Sequence, residues 1–195
     1  MTKRPTVLDL FSGCGGMSLG MEASGFDIAC SVEFDPVHSL VHHFNFPYGA
    51  TICRDVSLVT SQDISTQLAS KGYKDIDVIV GGPPCQGFSH IGKRQLDDDR
   101  NKLVFEYVRL VKEIKPKYFV FENVPGIASG KHKKFLAELL EQFDEIGYTV
   151  ASPYKVLDAS HYGVAQARKR LILIGTRKDL KKVNYPATTH DLSNS

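Results

Sequence analysis

The sequence lacks the features that mark several classes of protein. No apolar run approaches the length of a membrane span, and the N-terminus has no signal-peptide pattern. The four cysteines form no C-x-x-C pair and have no histidines at a spacing typical of zinc, which argues against a disulfide or metal framework. The net charge of +2 is too small to indicate a nucleic-acid partner by itself. The simplest expectation is a cytoplasmic globular domain with no membrane and no metal partner.

The chain instead contains short apolar runs that alternate with helix-length amphipathic stretches. The predicted strands, which are apolar on both faces and therefore expected to be buried, are 6–11, 28–34, 76–82 and 118–124. The predicted helices are 101–114, which Pro116 stops, and 133–147, which Gly147 caps. Two later runs, "YKVLDA" and "RLILIGTR", have no helix between them. This order predicts a doubly wound, mostly parallel α/β sheet of the Rossmann-like kind, with one antiparallel strand at or near its edge.

A glycine turn follows the first strand in "DLFSGCGGMSLG". It is not a strict G-x-G-x-x-G, because Ser18 stands in the place of the third glycine, and no Lys-Ser/Thr pair of a P-loop follows. Glu33 ends the second strand at the distance where an acid commonly binds a ribose diol, Phe34 is able to stack on an adenine, and Asp55 is placed to contact an exocyclic amine. A plainer interpretation makes the glycines a simple turn and the acids surface charges or helix caps. The pattern favours an adenosine-bearing cofactor, either NAD or S-adenosylmethionine.

Three other segments carry groups suited to chemistry. Cys85 lies in "GGPPCQGFSH", where two prolines stiffen the backbone before it, and Glu122 ends an apolar strand. Arg168 and Arg170 lie in "QARKR". Taken singly, each group also has a purely structural interpretation. Cys85 would be a buried thiol, Glu122 a helix cap or a member of an ion pair, and the arginines part of a solvated face. Together they suit the addition of a thiolate to an aromatic heterocycle while a carboxylic acid donates to a ring nitrogen.

With these motifs in this order, the sequence resembles the catalytic domain of the DNA cytosine-5 methyltransferases of the bacterial modification type. The matching segments are "DLFSGCGGMSLG", "EFD", "RDV", "GGPPCQGFS", "DDRNKLVFEYVRLVKEIKPKYFVFENVPG" and "YGVAQARKRLILIG". They cover most of residues 6–177, and the Pro-Cys-Gln, Glu-Asn-Val and Gln-x-Arg-x-Arg signatures are specific when they occur together.

The resemblance implies a role for each matching residue. Cys85 would attack C6 of a cytosine flipped out of double-stranded DNA, Glu122 would contact N3, and S-adenosyl-L-methionine would supply the methyl group. Arg168 would help to hold the base, while Gln166 and Arg170 would organise the site. The positions matching cofactor contacts are Phe11, Gly13, Cys14, Gly16, Glu33, Phe34, Asp55, Val56, Pro84 and Leu103.

The resemblance also sets expectations for the domains. Residues 1–186 are expected to form an incomplete S-adenosylmethionine-binding catalytic domain, and 187–195 a tail or the start of a connection to a target-recognition domain. The chain is therefore expected to be a fragment or one subunit of a split enzyme, with a second polypeptide carrying the recognition region. An NAD-dependent oxidoreductase, a catalytically silent scaffolding subunit and an enzyme acting on RNA are the alternatives.

Overall fold

The computed structural model describes residues 3–84 and 102–190, so the predicted nucleophile Cys85 lies outside the described residues. Within these ranges the strands are β1 (Thr6–Leu10), β2 (Asp27–Glu33), β3 (Ala50–Cys53), β4 (Val78–Gly81), β5 (Tyr118–Asn123), β6 (Tyr148–Val150), β7 (Lys155–Asp158) and β8 (Lys169–Arg177). The α-helices are α1 (Gly16–Ala23), α2 (Pro36–Asn45), α3 (Ser61–Ser70), α4 (Lys102–Ile114) and α5 (Lys133–Glu145).

All eight strands belong to one sheet, in the order β3-β2-β1-β4-β5-β8-β6, and β7 pairs with β8 outside this path. The strands β1 to β5 run parallel, whereas β8 is antiparallel to β5, β6 and β7. The predicted mostly parallel sheet with an antiparallel strand near its edge is thus confirmed. The strand order reverses at β1, which has β2 on one side and β4 on the other. In such sheets, ligands bind in the crevice at the carboxyl ends of the strands next to this reversal.

The two faces of the sheet carry different helices. Leu8 and Leu10 of β1 belong to the larger buried cluster, to which α3, α4 and α5 also contribute. Val7 belongs to a smaller cluster with Phe46, which follows α2, and Met17 of α1 packs against that cluster. Because successive strand residues point to opposite faces, α1 and α2 cover one side of the sheet and the other three helices cover the opposite side.

The two predicted helices are confirmed as α4 and α5. Their fully buried side chains include Val104, Tyr107, Val108 and Val111 in α4 and Leu136, Leu139 and Phe143 in α5. Gly147 follows α5 with a φ of 93°, which glycine adopts more easily than other residues. In residues 3–84 and 102–190, no helix is both long and apolar enough to cross a membrane.

Strand β5 was predicted to be buried on both faces, but only one of its faces is fully buried. Phe119 and Phe121 are fully buried, whereas Tyr118 and Val120 on the other face are only half-buried. In the part of the chain that the structure describes, the helices on that face, α1 and α2, pack mainly against β1, β2 and β3. The prediction is therefore correct for one face of β5 only.

Helices α2 and α3 have clear start signals. Asp35 caps α2 by accepting a hydrogen bond from the backbone N–H of Val37 at 2.8 Å, and Pro36 occupies the first turn. Thr60 and Asp63 form a reciprocal capping box at the start of α3. These caps fix where both helices begin.

Candidate active site

The site lies at the edge where the parallel strands end. Strands β1, β2, β4 and β5 finish there at Leu10, Glu33, Gly81 and Asn123. Because β8 is antiparallel, it starts at this edge, with Leu171 paired to Asn123. Arg168, which precedes β8, and Arg170, the second residue of β8, are therefore brought to the same place as Glu122.

A pocket of about 460 Å³ opens at this edge, within the size range of sites for small molecules. It is lined by Phe11, Val32, Glu33, Phe34, Arg54, Asp55, Val56, Gly82, Pro84 and Leu103. Seven of these residues were predicted cofactor contacts. Val32, Arg54 and Gly82 were not predicted, although the motifs "RDV" and "GGPP" contain two of them. Gly13, Cys14 and Gly16 are not part of the lining.

The glycine turn has a strained and crowded backbone. Phe11 has a φ of 59°, which is rare for a bulky residue, and Gly13 has a φ of 53°. Gly15 has a φ of 98°, and a Cβ atom added to it would collide with the ring of Phe46. The turn therefore needs glycine at position 15 for both conformation and space.

Glu33 fastens this turn to the end of β2. Its Oε2 accepts a hydrogen bond from the backbone N–H of Gly13 at 2.8 Å, and its Oε1 accepts one from that of Asp35 at 2.9 Å. Each carboxylate oxygen has a further lone pair, so both remain able to accept from a ligand hydroxyl. Glu33 thus combines a structural role with a position in the pocket wall.

Asp55 and Phe34 have contrasting environments. Oδ1 of Asp55 accepts from the backbone N–H of Ser57 at 2.9 Å and from its hydroxyl at 2.7 Å, so the plainer interpretation of a helix cap is confirmed for that oxygen. The predicted contact with an exocyclic amine stays a prediction. Phe34 is 71% exposed at the pocket rim, where its ring is available for stacking.

The turn also contains a buried polar atom without a partner. Ser12 is 7% exposed, and its hydroxyl has no hydrogen-bond partner among the described residues. Buried polar groups normally have a partner, and Ser12 directly follows Phe11, which lines the pocket, although Ser12 itself is not part of the lining. With apolar walls and acids nearby, the pocket fits an adenosine-bearing cofactor.

Glu122 is the centre of the charged part of the site. Its Oε1 lies 2.9 Å from Nε of Arg170 and 4.0 Å from Nη2 of Arg168. Its Oε2 would lie 2.9 Å from a Cβ atom added to Gly82, which lines the pocket. Arg170 therefore occupies one carboxylate oxygen and leaves the other facing the pocket wall.

The remaining predicted site residues, Arg168 and Gln166, make fewer contacts with the rest of the site. Arg168 is exposed, and its backbone N–H donates to Oδ1 of Asp158 at 3.1 Å. Gln166 is exposed and has no hydrogen bond to another described residue. No group of three or more His, Cys, Asp or Glu side chains in the described ranges is arranged to hold a metal ion.

Asn123 was not predicted as a site residue, although it is the middle residue of the Glu-Asn-Val signature. It is 3% exposed, and its Nδ2 donates to the carbonyl oxygen of Pro83 at 3.2 Å. Its Oδ1 accepts from the backbone N–H of Val124 at 2.9 Å. Asn123 thereby ties the end of β5 to the segment that precedes Cys85.

A mostly parallel sheet with this glycine turn, pocket and paired carboxylate defines the class of S-adenosylmethionine-dependent methyltransferase folds. The sequence model of the C-5 cytosine-specific DNA methylases matches residues 5–195, and the chain belongs to that family.

Individual relatives agree with this assignment. The chain is 54% identical over 186 residues to Type II methyltransferase M.XorII of Xanthomonas oryzae pv. oryzae. The aligned region covers 95% of this chain and 44% of that protein. It is 38% identical over 195 residues to M.AquIA of Picosynechococcus sp., covering 96% of this chain and 78% of that protein. A crystal structure from Escherichia coli, assigned as a prophage-encoded DNA modification methyltransferase, has a TM-score of 0.77 and 36% identity, covering 94% of this chain and 53% of that one. The chain spans about half the length of several curated relatives that it matches.

Proposed function

We propose that this chain is the cofactor-binding and catalytic part of an enzyme that transfers a methyl group from S-adenosylmethionine to C5 of cytosine in DNA, in the cytoplasm. The observation that carries the proposal is the contact between the two halves of the site. Gly82 lines the pocket, and Oε2 of Glu122 lies directly beside it. A cofactor in the pocket and an acid at the edge of β5 would thus be neighbours.

The pocket residues have distinct tasks in this proposal. Glu33 would accept hydrogen bonds from the ribose hydroxyls, Phe34 would stack on the adenine, and Phe11 and Leu103 would cover its apolar faces. The orphan hydroxyl of Ser12 would bind a polar end of the cofactor. When bound, the cofactor supplies an electrophilic methyl group on a positively charged sulfur.

The reaction begins with the thiolate of Cys85, which forms a bond to C6 of cytosine and places negative charge on C5 and N3. Glu122 donates a proton to N3, which stabilises that charge. C5 would then form its bond to the methyl carbon as the bond between that carbon and the cofactor sulfur breaks, releasing S-adenosylhomocysteine. C5 then loses its proton to a base, the Cys85–C6 bond breaks to return the thiolate, and N3 returns its proton to Glu122. Arg170 orients Glu122 throughout, through its bond to Oε1.

The DNA must be distorted for this chemistry. C6 of a stacked cytosine is inaccessible to a thiol, so the base has to leave the duplex. The exposed side chain of Arg168, whose Nη2 lies 4.0 Å from Oε1 of Glu122, would hold that base. Sequence-specific methylation would also need a target-recognition region, on the same polypeptide or on a second one, beyond a catalytic domain spanning residues 1–186.

Replacing Glu33 with alanine is expected to weaken S-adenosylmethionine binding by about tenfold to a hundredfold. The substitution removes the acceptor for the Gly13 N–H and the proposed acceptor for the ribose, each worth about 1 kcal/mol. Isothermal titration with S-adenosylmethionine and, separately, with NAD measures the effect and discriminates between the two cofactors.

The matched control is Glu22→Ala, since Glu22 is an exposed acid on α1 outside the pocket. It should bind S-adenosylmethionine as the wild type does. Tight binding of NAD with none of S-adenosylmethionine would refute the proposed function.

Replacing Asn123 with alanine is expected to lower kcat by about tenfold or more. Loss of the amide leaves the Pro83 carbonyl without its donor, and the segment before Cys85 is then less well positioned. A single-turnover methyl-transfer assay at saturating cofactor is the measurement. Asn184→Ala, at an exposed position, serves as the control. An Asn123→Ala enzyme that is folded and transfers methyl groups at the wild-type rate would contradict this role.

A further inference from the structure

A line of buried polar side chains lies beneath the glycine turn and takes part in no step proposed above. Asp9 of β1, Ser18 of α1, His42 of α2 and Ser31 of β2 are each at most 1% exposed. The hydroxyl of Ser18 lies 2.6 Å from Oδ2 of Asp9 and 3.0 Å from Nε2 of His42. Nδ1 of His42 lies 3.1 Å from the hydroxyl of Ser31. These four side chains, here called the buried network, connect four elements of the fold.

The buried network is in direct contact with the glycine turn. A Cβ atom added to Gly15 would lie 3.1 Å from the ring of His42, so that ring sets how closely α2 approaches the turn. One helical turn further, Asn45 donates from Nδ2 to the carbonyl oxygen of Cys14 at 3.2 Å. Helix α2 therefore supports the turn at two residues that lie one helical turn apart, and His42 joins that support to β1 and β2.

The hydrogen bonds of the buried network can run in either direction. When Asp9 is ionised, Ser18 donates to it, Nε2–H of His42 donates to Ser18, and Ser31 donates to Nδ1. When Asp9 takes up a proton, its carboxyl donates to Ser18, Ser18 donates to Nε2, and Nδ1–H donates to Ser31. Ser31 then donates to the hydroxyl of Thr51, 3.4 Å away. The three bonds among the four side chains are kept in both states, because hydroxyls and a neutral imidazole act as donor or acceptor.

The charges around the network allow both states near neutral pH. Burial raises the pKa of Asp9 to about 7, with the hydrogen bonds from Ser18 opposing the shift and the charge of Glu33 adding to it. Burial lowers the pKa of His42 to about 4; Glu33 opposes this shift and His43 adds to it. Asp9 is thus the group that titrates between pH 6 and 8, while His42 stays neutral and changes its tautomer.

We propose that the buried network positions the glycine turn for S-adenosylmethionine, and that it does so in both ionisation states of Asp9. The inference rests on the proposed cofactor. It also explains why Ser18 stands where a dinucleotide-binding turn would have its third glycine: the hydroxyl joins Asp9 to His42, which a glycine cannot do. These four side chains are positioning residues and touch no reacting atom.

The first test is Ser18→Ala, which interrupts the network between Asp9 and His42. We expect S-adenosylmethionine to bind about tenfold more weakly, with kcat at saturating cofactor within about threefold of wild type. Ser39→Ala is the matched control, because Ser39 is a buried serine of α2 outside the network. Circular dichroism confirms that both variants are folded. Unchanged cofactor affinity in Ser18→Ala, or an equal loss in Ser39→Ala, would overturn the proposal.

The second test measures the tautomer of His42 in the buried network in the absence of the cofactor. With ¹⁵N-labelled histidine, NMR should show the proton of His42 moving from Nδ1 to Nε2 as the pH rises through about 7. In Asp9→Asn, whose amide donates at every pH, the proton should remain on Nδ1. A tautomer that is the same in both proteins from pH 5.5 to 8.5 would refute the network even if the cofactor binds. If the tautomer changes as expected but the protein binds no S-adenosylmethionine, the proposed function fails, and with it the positioning role.

Discussion

Replacing Cys85 with alanine is expected to reduce methyl transfer by about 10⁴-fold or more, while cofactor binding stays within about threefold of wild type. In the proposed mechanism Cys85 alone forms the bond to C6, so the expected loss is that of covalent catalysis itself. The residues just before Cys85 favour this role, because Asn123 holds the carbonyl of Pro83 and Pro84 lines the pocket. A tritiated-methyl assay on duplex DNA, with the recognition region present, measures the loss.

The other cysteines provide the controls. Burial raises the pKa of Cys30 to about 12, which leaves it an unreactive thiol, and Cys53 is exposed outside the pocket lining. Cys30→Ala and Cys53→Ala should retain activity within a fewfold. With 5-fluorocytosine DNA, the wild-type enzyme should form a denaturant-stable complex, because fluorine cannot leave C5 as the proton does. Attachment of that DNA to Cys53, or to any residue except Cys85, would exclude the proposed nucleophile.

Replacing Glu122 with glutamine is expected to lower kcat by about 10²- to 10³-fold. The amide still fits beside Gly82 and donates a hydrogen bond, but it cannot transfer a proton to N3. The amide oxygen can still accept from Nε of Arg170, which lies 2.9 Å from Oε1 of Glu122. Single-turnover methyl transfer at saturating cofactor and DNA separates this effect from binding.

The control for Glu122 is Glu138→Gln, an exposed position on α5. Its activity should match that of wild type. If Glu122→Gln transferred methyl groups at a rate within twofold of wild type, the acid at N3 would have to be another group.

The fold could be predicted where apolar residues follow the period of their element. Strands β1, β2 and β4 are mostly apolar and buried, and α4 repeats its buried residues every three or four positions. Helix α2 shows why other elements could not be predicted. Leu40 and Phe44 are exposed, whereas His42 is buried because its partners come from other elements. Tertiary contacts therefore reverse the pattern that hydrophobicity alone would indicate.

The site was predictable to the extent that its residues end parallel strands. Glu33, Glu122 and the glycine turn meet at one edge for that reason. The pairing of Arg170 with Glu122 depends on the register between β5 and β8, which the apolar pattern does not specify. The role of Asn123 depends on the path of the chain at Pro83, which no periodicity encodes.

The antiparallel β8 has a consequence for when the chain becomes chemically competent. Arg170 meets Glu122 only after β8 has paired with β5, and Asn123 reaches Pro83 only after β5 has paired with β4. These pairings join distant parts of the sequence, so each must close a long loop and forms late compared with local helices. An incompletely folded chain therefore carries Cys85 without an oriented acid and without a complete cofactor pocket. Until β8 has paired with β5, a newly synthesised chain would therefore carry Cys85 as a thiol without its proposed catalytic partners.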